Sequence, residues 1–198
     1  VIQRFLQAAE MLQESAGEIV PVEISIGGPL TIASFLREIE LLLRDCRRNG
    51  DKVQKLLRII VDSQKSCIDA FAQYGVGIAM ADPVANPALI GPKLYEKFVF
   101  PYTKELTDYA LERTGKKVSL HMCGATYSIW KYIEQYQLNE ISLDNIVDLD
   151  RAARELGKKV PIAGNVDPVQ SMLNGTKEEI FAEVQKCIEL GSSAEKGF

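Results

Sequence analysis

The chain has 198 residues, 46% of them apolar and 25% charged, which is ordinary globular composition and enough length to bury one sizeable core. A net charge of -4 and a pI near 5.2 give no basic surface for a polyanion, so nucleic acid is excluded as an expected partner. No apolar run approaches the roughly 18 residues of a membrane span and no secretory signal opens the sequence, so a cytoplasmic protein without a membrane partner is expected. The four cysteines, Cys46, Cys67, Cys123 and Cys187, are widely spaced in a chain of this size, which favours a ligand or nucleophile over a disulfide framework.

In chain order, Ile2, Phe5, Leu6, Ala9 and Leu12 recur at helical spacing up to Gly17. Ile19 to Ile26 reads as a strand that runs into Gly27-Gly28-Pro29, and Ile32 to Leu43 restores the helical period. A helix from Asp51 to Phe71 stops at Gly75, before a short strand Val76 to Ala81 and the breaker Asp82-Pro83. Leu94 to Arg113 is helical with an interruption expected at Pro101, and Lys117 to Leu120 is a strand leading into His121. The rest reads as a helix over Tyr127 to Tyr136, a strand over Glu140 to Leu143, a helix over Asp148 to Leu156 and a strand over Val160 to Ala163. A last helix is announced by the capping-box spacing of Thr176 and Glu179 and ends by Gly191. Five strands alternating with helices predict a parallel sheet, either a (βα) barrel or a doubly wound open sheet, in a single domain spanning residues 1–198. A full eight-stranded barrel needs about 250 residues, so five strands would leave one unfinished.

The sharpest chemical feature is His121-Met122-Cys123-Gly124 at a strand end. Side chains two apart on a strand share a face, which presents imidazole and thiolate together. Zinc accepts both, but it needs at least three protein ligands, and an isolated His-x-Cys also suits a pair of core residues. His121 is the only histidine, which excludes a multi-histidine site. Asp82, Asp144, Asn165 and Asp167 each follow a strand's carboxyl end, and in a barrel those ends open on one catalytic face. Taken singly, Asp-Pro and Asn-x-Asp-Pro are also turn chemistry. The aromatic run Tyr127, Trp130, Tyr132 and Tyr136 reads as packing, Gly27-Gly28-Pro29 as a tight turn, and the remaining cysteines as small apolar groups.

Four segments in order, Gly28-Pro29-Leu30-Thr31, Ala81 to Ala85, His121 to Gly124 and Gly164 to Pro168, resemble signatures of the uroporphyrinogen decarboxylase superfamily. The His-x-Cys-Gly segment is similar to that of its corrinoid branch, the methylcobalamin:coenzyme M methyltransferases. That resemblance implies a TIM barrel present as an incomplete fragment, about strands three to seven of eight. It implies zinc held by His121, Cys123 and a later cysteine beyond residue 198, with Asp82 and Asp144 as catalytic candidates and Asn165 and Asp167 as substrate contacts. The implied activity is methyl transfer between a corrinoid, as free methylcobalamin or a corrinoid protein, and a small thiol. Transfer from another methylated donor, with zinc as Lewis acid, belongs to the same branch. Two alternatives stand beside it. One is metal-free decarboxylation of a porphyrinogen-like substrate by Asp82, Asp144 or Asp167; the other is a non-catalytic corrinoid- or metabolite-binding protein with structural His121 and Cys123. Open sheet edges predict self-association, as a homodimer or as aggregates.

Overall fold

A computed structural model describes residues 2–198. After α1 (Ile2–Ala16), five strands alternate with helices: β1 (Glu23–Gly27), α2 (Pro29–Arg37), α3 (Ile39–Arg48), α4 (Gly50–Ala72), β2 (Gly77–Ala81), α5 (Pro87–Ile90), α6 (Pro92–Phe98) and α7 (Phe100–Thr114). Then come β3 (Val118–Met122), α8 (Trp130–Ile133), β4 (Leu138–Leu143), α9 (Leu149–Glu155), β5 (Ile162–Ala163) and α10 (Lys177–Gly191). All strand pairs are parallel and their spatial order is their chain order, β1-β2-β3-β4-β5.

That order settles what periodicity left open. A doubly wound sheet reverses direction at a switch point, whereas here each strand is laid beside its predecessor on the same side. Right-handed crossovers repeated in one direction keep the helices on one face, as in a barrel wall. Among the described residues β1 and β5 do not pair, so the sheet is an open arc.

The core lies between this wall and the helices. Ile78, Met80, Val118, Leu120, Met122, Ile141 and Leu143 alternate along the strands and pack with Leu30, Leu57, Phe98 and Leu106. The opposite face is small and polar. Ser25, Ala79, Ala81, Ser119, His121, Glu140 and Ser142 line a concavity of about 240 Å³, where barrels usually place bulky branched residues.

Several boundaries differ from expectation for local reasons. Ile19 and Val20 wrap the end of α1, both amides bonding the Ala16 carbonyl, and Pro21 delays the strand until Glu23. The single helix expected from Ile32 breaks at Glu38, which has φ 51°, and leaves Phe35 and Leu36 exposed. The interruption near Pro101 falls at Val99, because a proline in the first turn of α7 forfeits no intrahelical bond. Tyr127 to Tyr136 contains only a 3-10 turn and the short α8, while Trp130, Tyr132 and Tyr136 are buried as packing residues. The Thr176–Glu179 capping box forms with both reciprocal bonds.

Candidate functional site

His121 is the fourth residue of β3 and faces the concavity, flanked in register by Ala81 on β2 and Ser142 on β4. Small neighbours leave room for the imidazole. Its Nδ1 lies 3.0 Å from Ser142 Oγ, and its Nε2 lies 3.4 Å from Cys123 Sγ. Zinc bonds of about 2.05 and 2.3 Å at a tetrahedral angle separate nitrogen and sulfur by about 3.6 Å, so the pair already stands near chelating distance. With Nδ1 engaged by Ser142, Nε2 is the nitrogen left for a metal, the arrangement by which an outer partner fixes a ligand's orientation.

Burial raises the pKa of the Cys123 thiol, and the nearby Asp144 charge raises it further. A bound cation would reverse that balance and hold the sulfur as thiolate. Among the described residues no three His, Cys, Asp or Glu side chains gather closely enough for a metal, so His121 and Cys123 form a two-ligand half-site. The chemistry of this donor set, one imidazole and one thiol, fits zinc with a ligand supplied from elsewhere.

The turn after Cys123 is held by its surroundings. Gly124 has φ +81°, and a β-carbon there would stand 2.1 Å from Asn86 Nδ2. Its amide donates to Asp144 Oδ2 at 2.7 Å, while Asp144 Oδ1 accepts from the Ile146 amide at 3.2 Å. Asn165 Nδ2 then donates to the carbonyls of Asp144 and Val147 at 3.0 and 2.7 Å. One run of hydrogen bonds thus joins the His121–Cys123 loop to Asp144 and Asn165.

Asp167 is more peripheral. Its Oδ1 accepts from the amides of Val169 and Gln170, each at 2.8 Å, and its Oδ2 from Asn145 Nδ2 at 2.8 Å. The Gln170 and Val169 amides and Asn145 hold its carboxyl below the ordinary range. This is the turn chemistry weighed from sequence.

Asp82 stands apart from the others. It continues the alternation of Ile78 and Met80 onto the helix side and is 1% exposed. Its Oδ1 accepts from the Thr31 amide at 3.0 Å and hydroxyl at 2.6 Å. The protein's own carboxylate therefore occupies the amino terminus of α2, and Gly28 is needed because a β-carbon there would lie 2.2 Å from Asp82 Cγ. Burial pushes its pKa up to about 6 against the lowering effect of these bonds, and Oδ2 has no partner. Its amide bonds the His121 carbonyl at 3.2 Å, so it touches the site through the backbone.

Two site residues escaped the sequence reading. Ser142 becomes visible only through the β3–β4 register. Asn86-Pro87 could have marked a helix start, but the approach of Asn86 to Gly124 is a contact between two loops that neither segment announces.

The family model described as uroporphyrinogen decarboxylase (URO-D) matches residues 1–198. The chain is 31% identical over 191 residues to the methylcobamide:CoM methyltransferase MtbA of Methanosarcina mazei, covering 96% of this chain and 56% of that protein. It is 26% identical to the methylcobamide:CoM methyltransferase MtaA of Methanosarcina barkeri, with the same two coverages. It is 25% identical to a uroporphyrinogen decarboxylase of Pseudoalteromonas atlantica, covering 94% and 54%. The chain therefore spans about half the length of the curated relatives it matches. A solved methyltransferase from Methanosarcina mazei superposes with a TM-score of 0.84 at 24% identity, over 94% of this chain and 55% of that one, which establishes the barrel-wall fold. A five-stranded parallel arc in sequential order, with a family match over its whole length, places this chain in the uroporphyrinogen decarboxylase (URO-D) family.

Proposed function

We propose that this chain carries part of the active site of a zinc- and corrinoid-dependent methyltransferase whose methyl acceptor is a small thiol. The observation that carries the reading is the 3.4 Å approach of His121 Nε2 to Cys123 Sγ at a strand's carboxyl end. The similarity to methylcobamide:CoM methyltransferases supports coenzyme M as the first thiol to test and methylcobalamin, free or on a corrinoid protein, as the methyl source.

Zinc bound there would supply a Lewis acid that keeps an incoming thiol ionised at neutral pH. The chain's own residues do the positioning. Ser142 holds the His121 ring, and Asp144 fixes the turn after Cys123 through the Gly124 amide. Asn165 in turn fixes the backbone around Asp144. The third zinc ligand would come from outside residues 2–198.

Decarboxylation would need Asp82, Asp144 or Asp167 to face a pyrrole. Asp82 is turned to the helices, Asp144 is engaged by the amides of Gly124 and Ile146, and Asp167 by amides of its own loop, which favours the methyltransferase reading. The test is methylation of coenzyme M from methylcobalamin by the full-length protein, compared with Cys123→Ser. Turnover that falls at least about 100-fold in the variant supports the reading; decarboxylation of a porphyrinogen by both proteins, without methyl transfer, overturns it.

A further inference from the structure

We propose that Asn86 is a specificity-determining residue that donates a hydrogen bond to an oxygen on the tail of the acceptor thiol; this rests on the methyltransferase reading above. Asn86 follows the 3-10 turn Pro83–Ala85 on the loop after β2, and so stands at the carboxyl-end rim of the barrel wall. Its Oδ1 accepts from the Ala88 amide at 2.9 Å as the cap of α5. That bond fixes which way the carboxamide faces, because exchanging its ends would set an NH2 group against an N–H donor.

The other end, Nδ2, makes no hydrogen bond among the described residues and lies over Gly124, the residue next to Cys123. Glycine at 124 serves two purposes at once. It takes φ +81° and leaves out the β-carbon that would stand 2.1 Å from Nδ2 and 2.4 Å from Cγ. A partly buried amide, locked in orientation and with two free N–H bonds, is thereby brought against Gly124, one residue along the chain from Cys123.

Other polar groups on the neighbouring loops and strand are engaged or enclosed. Gly124 N–H is held by Asp144, Ser142 Oγ is bonded to His121 Nδ1, and the Thr126 hydroxyl, which accepts from Trp130 Nε1, is fully buried away from any ligand. Asn86 Nδ2 is thus an unpartnered and partly exposed donor beside Gly124 among the described residues, and it suits a sulfonate, carboxylate or carbonyl oxygen a few bonds from the sulfur. A neutral donor can choose by hydrogen bonding where a purely apolar wall would not, since a thiol lacking the oxygen leaves the site's polar group unpaired.

Asn86→Ser in the full-length, zinc-loaded protein separates this role from the capping role, because serine caps helices about as well and brings no charge. Binding of coenzyme M and of ethanethiol, which lacks the polar tail, is measured by calorimetry beside zinc content and melting temperature. The expected result is about tenfold or more weaker coenzyme M binding, with ethanethiol binding, zinc content and melting temperature unchanged. Equal effects on both thiols, or none on either, overturn the assignment and leave the methyltransferase reading standing. Wild-type protein that binds neither thiol overturns both.

Discussion

Ser142 Oγ lies 3.0 Å from His121 Nδ1, reaching across the β3–β4 pair from the register position directly opposite. The bond commits one ring nitrogen and turns the other toward Cys123 Sγ. A metal ligand held in this way needs no reorganisation on binding.

Ser142→Ala removes that restraint while leaving both ligands in place. Zinc affinity of the full-length protein is expected to fall about 10- to 100-fold, read by competition with a chromophoric chelator. Unchanged affinity would show that the ring is oriented by something else.

Gly124→Ala forces a side chain into a left-handed backbone and against the Asn86 carboxamide. Strain of this kind costs about 1–3 kcal/mol. A lower melting temperature and weaker zinc binding are expected together, whereas Gly75→Ala, also at positive φ but with open space around it, should lower the melting temperature without touching zinc.

Asp82 gives a signed pH dependence. Its pKa is raised to about 6 from an ordinary value near 3.8, so the folded state holds the proton more tightly than the unfolded chain. The protonated acid therefore contributes stability that is complete below about pH 4 and is lost as pH rises through about 6. The whole difference between about 6 and 3.8 corresponds to roughly 3 kcal/mol. The stability of wild type relative to Asp82→Asn should fall by roughly 2 kcal/mol between pH 4 and 6.5 in denaturant titrations; a difference that does not vary with pH would refute a buried, proton-binding carboxyl.

Asn165→Ala deletes two bonds to the carbonyls of Asp144 and Val147. Stability should drop by about 1–3 kcal/mol, with partial loss of zinc affinity because the Asp144 loop also holds the Gly124 amide. Retained stability and retained zinc binding would place the support of Cys123 elsewhere.

The strand-helix alternation and the His121–Cys123 pair were legible because they are periodic or local: a two-residue spacing on a strand guarantees a shared face. The barrel-wall order was not legible in periodicity, since the alternation of strands and helices suits two windings equally; the four ordered family segments implied it, and the strand pairing agrees. Asp82, Asp144 and Asp167 look alike in sequence, each an acid after a strand. Their fates differ because one residue of parity sends Asp82 to the helix layer, while the amides of Gly124 and Gln170 claim the other two. Ser142 and Asn86 act through neighbouring strands and loops, and such contacts have no signature within one segment of chain.

The central claim is that His121 and Cys123 are metal ligands, and zinc analysis of the full-length protein beside Cys123→Ser tests it most directly. About one zinc per chain in the wild type, lost in the variant while the fold is retained, is the predicted result. Protein without zinc after reconstitution under reducing conditions, or a variant that keeps its full complement, would contradict it.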